Sequence, residues 1–260
     1  MVESFPSSRQ ARDAINVPSF RIVSEGEDYV VVDKPPFLLT HPTKPDGPVT
    51  LWKQLREVLA YELANGGQVS IVNRLDRETS GLVLVAKTAA AARRFGLLMQ
   101  DHRLLKEYRA VVWGWPEWGV QRVSAPLTRL GQHEPAAIWL KQGIHPLGAV
   151  AETEFRVEQR FQKATANGDR FSIIRAIPLT GRTHQIRVHL AHAGYPVVGD
   201  KIYGPDEQLY LQFIRTGWTK ELEQRLLLPR HALHSARLTI PGEHHWRSDL
   251  PIDLAAFVQR

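Results

Sequence analysis

The chain has 260 residues, of which 43% are hydrophobic and 23% are charged, a composition typical of a globular protein with one or two domains. It contains no cysteine, which excludes disulfides and thiolate metal sites. No apolar run approaches the roughly 20 residues of a membrane span, and a signal-peptide core is missing, so we expect a soluble, cytoplasmic protein. The net charge of +6 and a pI near 9.7 favour a polyanionic partner.

The first third of the chain predicts an extension, a strand and a helix. Residues Met1 to Pro18 carry Ser, Arg, Asp and Pro without apolar periodicity, and we expect a loosely held extension there. Residues 29–34 predict a strand that Pro35 ends. Apolar residues then recur at helical spacing over residues 51–63 and predict one helix, which Gly66 and Gly67 end. Residues 19–260 are predicted to form a single domain.

Residues 71–88 carry a polar turn between two apolar strands. Asp76 lies in that turn between Arg74 and Arg77, whose positive charges favour an ionised carboxylate. From the residues alone, Asp76 is either an anionic nucleophile or base at the edge of a sheet, or a turn residue bonded to its own backbone. Thr88 is predicted to cap a helix over residues 89–100.

Alternating residues over 106–114 predict a half-buried strand, with Tyr108 on the face that also carries Ala110 and Val112. Without context, Tyr108 is either a core side chain or a site residue. Residues 152–158 and 170–177 predict an antiparallel pair, because a turn-forming Asn-Gly lies between them. Strands and helices do not alternate regularly, so the sequence predicts an α+β fold.

A basic helix is predicted after Pro178, with Gly194 at its end. Its cationic and imidazole side chains, Arg182, Arg187 and His189, either form a solvated face or belong to a site. Arg182 lies at the junction of strand and helix, and its planar guanidinium suits a bidentate contact with a carboxylate. We therefore predict that Arg182 reaches Asp76.

Eleven histidines raise the question of a metal, above all His184, His189 and His192, or the pair His231 and His234. No His-Glu-x-x-His arrangement accompanies them. We predict no metal site and structural or RNA-facing roles for these imidazoles.

Three ordered stretches carry a family resemblance. Residues 74–87 resemble the catalytic motif of the RluA-type RNA pseudouridine synthases, with Asn73 where that family usually has His. Lys34-Pro35 with His41 resembles its first motif, in which Phe37 replaces a common Gly. Residues 106–110 resemble the second motif, and residues 181–189 with 194–204 resemble the third.

The resemblance implies a pseudouridine synthase-like α+β fold, with a mixed, largely antiparallel central sheet flanked by helices and loops, and a catalytic cleft. It also implies one catalytic domain at 19–260 without a separate N-terminal RNA-binding domain. The implied reaction converts uridine within RNA to pseudouridine, without a cofactor or a metal. The implied partner is a ribosomal or transfer RNA stem-loop, the chain is expected to be a monomer, and the RNA and uridine stay open.

The same resemblance implies roles for the site residues. Asp76 would attack C1′ or take the C2′ proton, and both routes stay open. Tyr108 would lie against the uracil and help to remove the C5 proton, and Arg182 would orient Asp76. The target nucleotide would be flipped out, with Arg74 filling its place. The remaining candidate RNA contacts are Arg77, Lys34, His41, Arg187 and His189.

Two other functions remain open from the sequence. The chain could be a non-catalytic RNA-binding module on the same scaffold. It could also be a nucleoside or glycoside hydrolase, which commonly needs a second carboxylate, and Glu78 is the nearby candidate.

Overall fold

The computed structural model describes residues 20–44, 47–133 and 135–259. The predicted extension from Met1 to Pro18 lies outside these ranges. In chain order, the described strands are β1 (Arg21–Glu25), β2 (Tyr29–Lys34), β3 (Ser70–Ile71), β4 (Ser80–Ala86), β5 (Leu105–Trp113), β6 (Val120–Ser124), β7 (Leu127–Arg129), β8 (Gln142–Ile144), β9 (Glu152–Thr165), β10 (Gly168–Pro178), β11 (Leu233–Ile240) and β12 (His244–Arg247). The helices are α1 (Leu51–Val58), α2 (Ala60–Ala64), α3 (Ala89–Gln100), α4 (Gln185–His192), α5 (Gln208–Thr216), α6 (Lys220–Leu226) and α7 (Ile252–Val258).

Ten of these strands form one sheet with the order β1-β2-β4-β11-β5-β10-β9-β6, to which β3 adds at β4 and β12 at β11. The pairs are antiparallel except that β4 and β11 run parallel. Strands β7 and β8 form a small second sheet. The predicted α+β class with a mixed, largely antiparallel sheet is confirmed.

Strand β4 is buried along its whole length. Its Val83 and Val85 belong to the main core, whereas Leu82 and Leu84 belong to a second core that also contains Phe95 of α3. A strand covered on both faces needs apolar side chains at every position, which explains the uninterrupted apolar run in the sequence. The loop that carries Asp76 is therefore joined directly to a fully buried strand.

Most of the predicted elements are confirmed. The Thr88 hydroxyl accepts a hydrogen bond from the Ala91 amide at 3.1 Å and caps α3, and the antiparallel pair β9 and β10 turns at the predicted Asn-Gly. The single helix predicted over 51–63 is wrong in one respect. Leu59 takes φ −98° and ψ 29°, which separates α1 from α2, and its side chain is buried in the main core.

The start of β4 meets its neighbours unusually closely. Gly81 has φ +111°, and a Cβ atom there would lie 2.3 Å from the carbonyl oxygen of Ser235 in β11. On its other edge β11 pairs with β5, and there Ser235 lies opposite Tyr108. These three strands therefore bring the loop of Asp76 and the side chain of Tyr108 to the same end of the sheet. No helix within the described ranges is long and apolar enough to cross a membrane.

Candidate active site

A cleft of about 780 Å³ opens where the loop before β4 meets β5 and α4. Among its described lining residues, Asp76 is the single carboxylate. The cationic side chains that line it are Arg74, Arg77, Lys106, Arg182 and Arg187. A cleft with this excess of positive charge attracts a polyanion and places one negative group inside it.

The backbone on both sides of Asp76 is held by the last residue of β2 and by the segment that follows it. The Thr40 hydroxyl donates to the Leu75 carbonyl at 2.7 Å, and the Lys34 ammonium donates to the Arg77 carbonyl at 3.2 Å. The Thr79 amide donates to the Asp76 carbonyl at 3.1 Å and closes the turn. Asp76 is thus placed by contacts to both of its neighbours in the chain.

The Asp76 side chain is oriented by Arg187 in the first turn of α4. Nη1 of Arg187 lies 3.0 Å from Oδ2 of Asp76, while its Nε and Nη2 donate to Asp200 at 2.6 and 2.9 Å. Burial opposes ionisation of Asp200, but the guanidinium outweighs it and holds the Asp200 pKa below its ordinary value. The amides of Ile202 and Tyr203 also donate to Asp200. Arg187 is therefore fixed between two carboxylates.

The prediction that Arg182 pairs with Asp76 is wrong. Nε of Arg182 donates to the Val150 carbonyl at 3.0 Å, and the side chain is exposed at the rim of the cleft. The helix begins at Gln185, whose side chain accepts from the Arg182 amide. Residue 182 is consequently part of an outward-facing turn, and Arg187 is the residue that points inward.

Two of the predicted RNA contacts, Lys34 and His189, are buried and do not line the cleft, which contradicts their assignment. The Lys34 ammonium donates to the carbonyls of Pro35, Leu38 and Arg77, and burial lowers its pKa to about 7. The His189 ring lies within 3.0 Å of the Thr153 hydroxyl and of the Ala125 carbonyl. Arg187 lines the cleft, but its guanidinium donates to the carboxylates of Asp76 and Asp200. The other predicted RNA contacts are exposed side chains that line the cleft, namely Arg74, Arg77 and His41.

Tyr108 lines the cleft from β5 and is buried. Burial and the negative charge of Asp76 raise the Tyr108 pKa above its ordinary value, so the phenol is protonated at neutral pH. Lys106 lines the cleft from the same face of β5, and burial lowers its pKa. The sequence interpretation missed Lys106, although the period of two that placed Tyr108 would have found it.

His184, which the sequence interpretation considered as a metal ligand and not as a catalytic-site residue, also lines the cleft. It precedes α4 with a left-handed backbone, φ +57°, and its Nδ1 lies 2.7 Å from the Tyr203 hydroxyl. Its Nε2 lies 3.9 Å from Oδ2 of Asp76. Burial and the charge of Arg187 lower the His184 pKa to about 4. The sequence signal that could have assigned His184 to the site was its position within the motif at 181–189.

The other side chains near the loop of Asp76 have structural partners. The Thr79 hydroxyl lies 2.7 Å from His231, and the Ser80 hydroxyl lies 3.0 Å from His234. Glu78 binds the Lys201 ammonium at 2.8 and 3.0 Å and does not line the cleft. Within the described ranges, no group of three or more His, Cys, Asp or Glu side chains could hold a metal ion.

The chain is similar to known proteins in sequence and in fold. A sequence profile described as RNA pseudouridylate synthase matches residues 28–192. Ribosomal large subunit pseudouridine synthase D of Haemophilus ducreyi is 31% identical over 255 residues, covering 94% of this chain and 71% of that protein. The protein of the same name from Escherichia coli strain K12 is 34% identical over 251 residues, covering 92% and 69%.

Two solved structures share the fold. Human RNA pseudouridylate synthase domain containing 1 is 26% identical, with a TM-score of 0.65 over 93% of this chain and 88% of that chain. Human RNA pseudouridylate synthase domain containing 4 is 21% identical, with a TM-score of 0.68 over 90% of each chain. The chain therefore belongs to the RluA-type RNA pseudouridine synthase family, whose members are isomerases acting on uridine in RNA.

Proposed function

We propose that this protein isomerises a uridine of large-subunit ribosomal RNA, with Asp76 as the catalytic carboxylate. The observation that carries the proposal is the ion pair between Asp76 and Arg187 inside a cationic cleft that also presents Tyr108. The names of the relatives favour ribosomal RNA as the target. The two ribosomal pseudouridine synthases named above come from bacteria, and we expect action in the cytoplasm by a monomer.

The reaction breaks the C1′–N1 bond, turns the uracil and joins C1′ to C5, after which C5 loses its proton and N1 holds one. Asp76 would begin it either by attacking C1′ or by taking the C2′ proton. The contacts that described residues make to the Asp76 carboxylate all involve Oδ2. Oδ1 is therefore the oxygen available to the ribose in both routes.

Tyr108 supports the second half of the reaction. Because its pKa is raised, it would meet the uracil as a neutral phenol, stack against the ring and pass on the C5 proton through its hydroxyl or a water molecule. Arg187 would keep Asp76 aimed at the ribose while the base turns.

A nucleotide in a stacked RNA must be flipped out to reach this cleft. Arg74 is exposed beside Asp76, and its planar guanidinium suits the space that the nucleotide leaves. Arg77, Arg182 and Lys106 would contact phosphates around it. RNA affinity should then fall steeply as the salt concentration rises, because bound counterions are released.

The geometry argues against a hydrolase with two carboxylates. Glu78, the second carboxylate that such a mechanism would use, is bound by Lys201 away from the cleft. A hydrolase would release free uracil, whereas the proposed isomerase would release none.

The test is to map pseudouridine across total RNA from cells with and without this gene. A position in large-subunit ribosomal RNA should lose its modification in the deletion and regain it with the wild-type gene. A gene encoding Asp76→Asn should fail to restore it, while the purified variant still binds the RNA. Loss of modification in a transfer RNA instead would overturn the proposed target, and restoration by Asp76→Asn would overturn the proposed role of Asp76.

A further inference from the structure

His184 is a largely buried imidazole beside the catalytic carboxylate that the mechanism above does not use. Its side chain is 12% exposed, and it lines the cleft. A left-handed backbone is unusual for a residue other than glycine and is maintained at a cost of about 1 kcal/mol or more. The surrounding structure therefore fixes this ring in one place.

The hydrogen bonds around Tyr203 determine which nitrogen of His184 carries the proton. The Gln142 backbone amide lies 2.8 Å from the Tyr203 hydroxyl. A backbone amide can only donate, so the hydroxyl accepts from Gln142 and has its own hydrogen left to donate. Among the described residues, the acceptor within reach of that hydrogen is His184 Nδ1 at 2.7 Å, so donation to Nδ1 is the arrangement that pairs it. Nδ1 is consequently the acceptor, and the proton of the neutral ring is on Nε2.

Nε2–H of His184 points to the side of the ring where Asp76 lies. The distance of 3.9 Å to Oδ2 of Asp76 is too long for a hydrogen bond, and Oδ2 already accepts from Arg187. The structure thus presents a fixed N–H donor to the cleft, next to the oxygen atoms that must reach the ribose. Burial and Arg187 also lower the His184 pKa, so the ring is neutral at physiological pH.

We propose that Nε2–H of His184 donates a hydrogen bond to the 2′-oxygen of the target nucleotide. This inference rests on the proposed function, because Asp76 must approach C1′ or C2′. A donor beside that carboxylate is then close to the substituents of these two carbons. The uracil leaves and turns during the reaction, whereas the 2′-oxygen stays in place throughout. The 2′-hydroxyl is also the group by which a protein distinguishes RNA from DNA at one nucleotide. His184 is therefore a substrate-contacting residue that confers specificity for ribose.

Two variants separate the donor from the structural role of the ring. His184→Asn offers an acceptor near Nδ1 for Tyr203 and tolerates the left-handed backbone, but it has no donor at the position of Nε2. His184→Gln can place its amide N–H near that position. Both chains are first compared with the wild type by thermal unfolding.

The probe is the RNA hairpin that contains the mapped uridine, made with ribose or with 2′-deoxyribose at that nucleotide. In the wild type, removing the 2′-oxygen should weaken binding roughly five- to tenfold, as expected for one hydrogen bond. The loss should disappear in His184→Asn and persist in His184→Gln, which is a double-mutant cycle between the protein and the RNA. A 2′-deoxy change at the next nucleotide should affect all three proteins equally.

Equal losses in the wild type and in His184→Asn would overturn the inference about His184. Conversion of the all-ribose hairpin to pseudouridine by the wild type tests the proposed function separately. If the wild type does not convert it, the proposed function and the inference about His184 are both overturned.

If His184→Asn does not fold, nitrogen NMR of the wild-type protein tests the inference about His184. Nδ1 should be unprotonated in the free protein, and the Nε2–H signal should move with ribose but not with deoxyribose RNA. A protonated Nδ1, or equal movement with both RNAs, would overturn the inference.

Discussion

At the scale of single residues, Asp76 depends on one guanidinium. Arg187 joins Asp76 to Asp200, and Asp200 is held in turn by two backbone amides. A planar fork with several fixed donors can meet both carboxylates at once, whereas an ammonium is a single point of charge. The orientation of the Asp76 carboxylate is therefore set by the shape of Arg187 as well as by its charge.

Replacing Arg187 by Lys should lower the rate of pseudouridine formation at saturating RNA by about 100-fold, or roughly 2.7 kcal/mol. The lysine keeps the charge but cannot hold both carboxylates. Arg182→Lys is the matched control, because Arg182 contacts the Val150 carbonyl at the rim, and its rate should change less than about threefold. Single-turnover kinetics measure both. A slower reaction in Arg182→Lys than in Arg187→Lys would contradict the assignment.

Tyr108→Phe should fold normally and slow the reaction at a step after the glycosidic bond breaks. The variant keeps the ring that is proposed to stack on the base, but it lacks the hydroxyl that is proposed to pass on the C5 proton. Its raised pKa means that the wild-type rate should show no rise from phenol ionisation between pH 6 and pH 9. Rapid-quench kinetics with uridine deuterated at C5 test this prediction. Wild-type rates in the variant would remove Tyr108 from proton transfer.

At the scale of elements, the site depends on the close contact between β4 and β11. Asp76 lies just before β4, and Gly81 allows the Ser235 carbonyl to approach where any Cβ atom would collide. The left-handed φ of Gly81 adds a second reason for glycine at this position.

Gly81→Ala should lower the free energy of unfolding by at least about 3 kcal/mol, because it adds a backbone clash and a strained φ. Gly96→Ala offers the opposite case in α3, since the Cβ that it would add meets no described atom within 4 Å apart from its chain neighbours and the backbone of its own helix. That change should stabilise the protein by up to about 1 kcal/mol through helix propensity. Urea unfolding of both variants gives the two values. Equal stabilities would show that β4 and β11 can separate at little cost.

The end of β2 and the segment that follows it bind the backbone and side chains of the loop of Asp76. Phe37 takes φ +69° there, in the left-handed region that glycine prefers. Its carbonyl accepts from Arg77, and Lys34 and Thr40 bind the backbone on the two sides of Asp76. The first sequence motif, Lys34-Pro35 with His41, therefore belongs to the segment that holds the loop of Asp76 in position.

At the scale of the whole molecule, buried histidines connect stability to pH. Burial lowers the pKa values of His184 and His234 from 6.5 to about 4, and it lowers that of His231 as well. Between pH 4 and 6.5 the unfolded chain therefore binds more protons than the folded chain. The free energy of unfolding should rise with pH across this window. Each shift from 6.5 to about 4 corresponds to at most about 3 kcal/mol.

Urea unfolding at a series of pH values from 4.5 to 7.5 would measure this slope. His234→Gln, which keeps a hydrogen-bonding side chain opposite Ser80, should reduce the slope because one titrating group is gone. A free energy of unfolding that stays constant over the window would contradict the prediction.

Local pattern was enough to predict much of the fold. The uninterrupted apolar run marked β4, Thr88 marked the start of α3, and the Asn-Gly turn joined β9 to β10. Each of these signals depends on neighbours in the chain, so propensity and periodicity could detect them. The break at Leu59 was missed, because it follows from the packing of one side chain into a core built by distant strands.

The sequence by itself determined the elements, the class of the sheet, the loop that carries Asp76 and the family motifs around it. Only the tertiary structure decided which cation binds that carboxylate. Arg187 lies 111 residues along the chain from Asp76, and the partner predicted from the sequence was Arg182 instead. Burial likewise made Lys34 and His189 structural, and contacts between separate segments placed the His184 ring between Tyr203 and Asp76. These choices depend on distances in the folded chain, which spacing along the sequence does not contain.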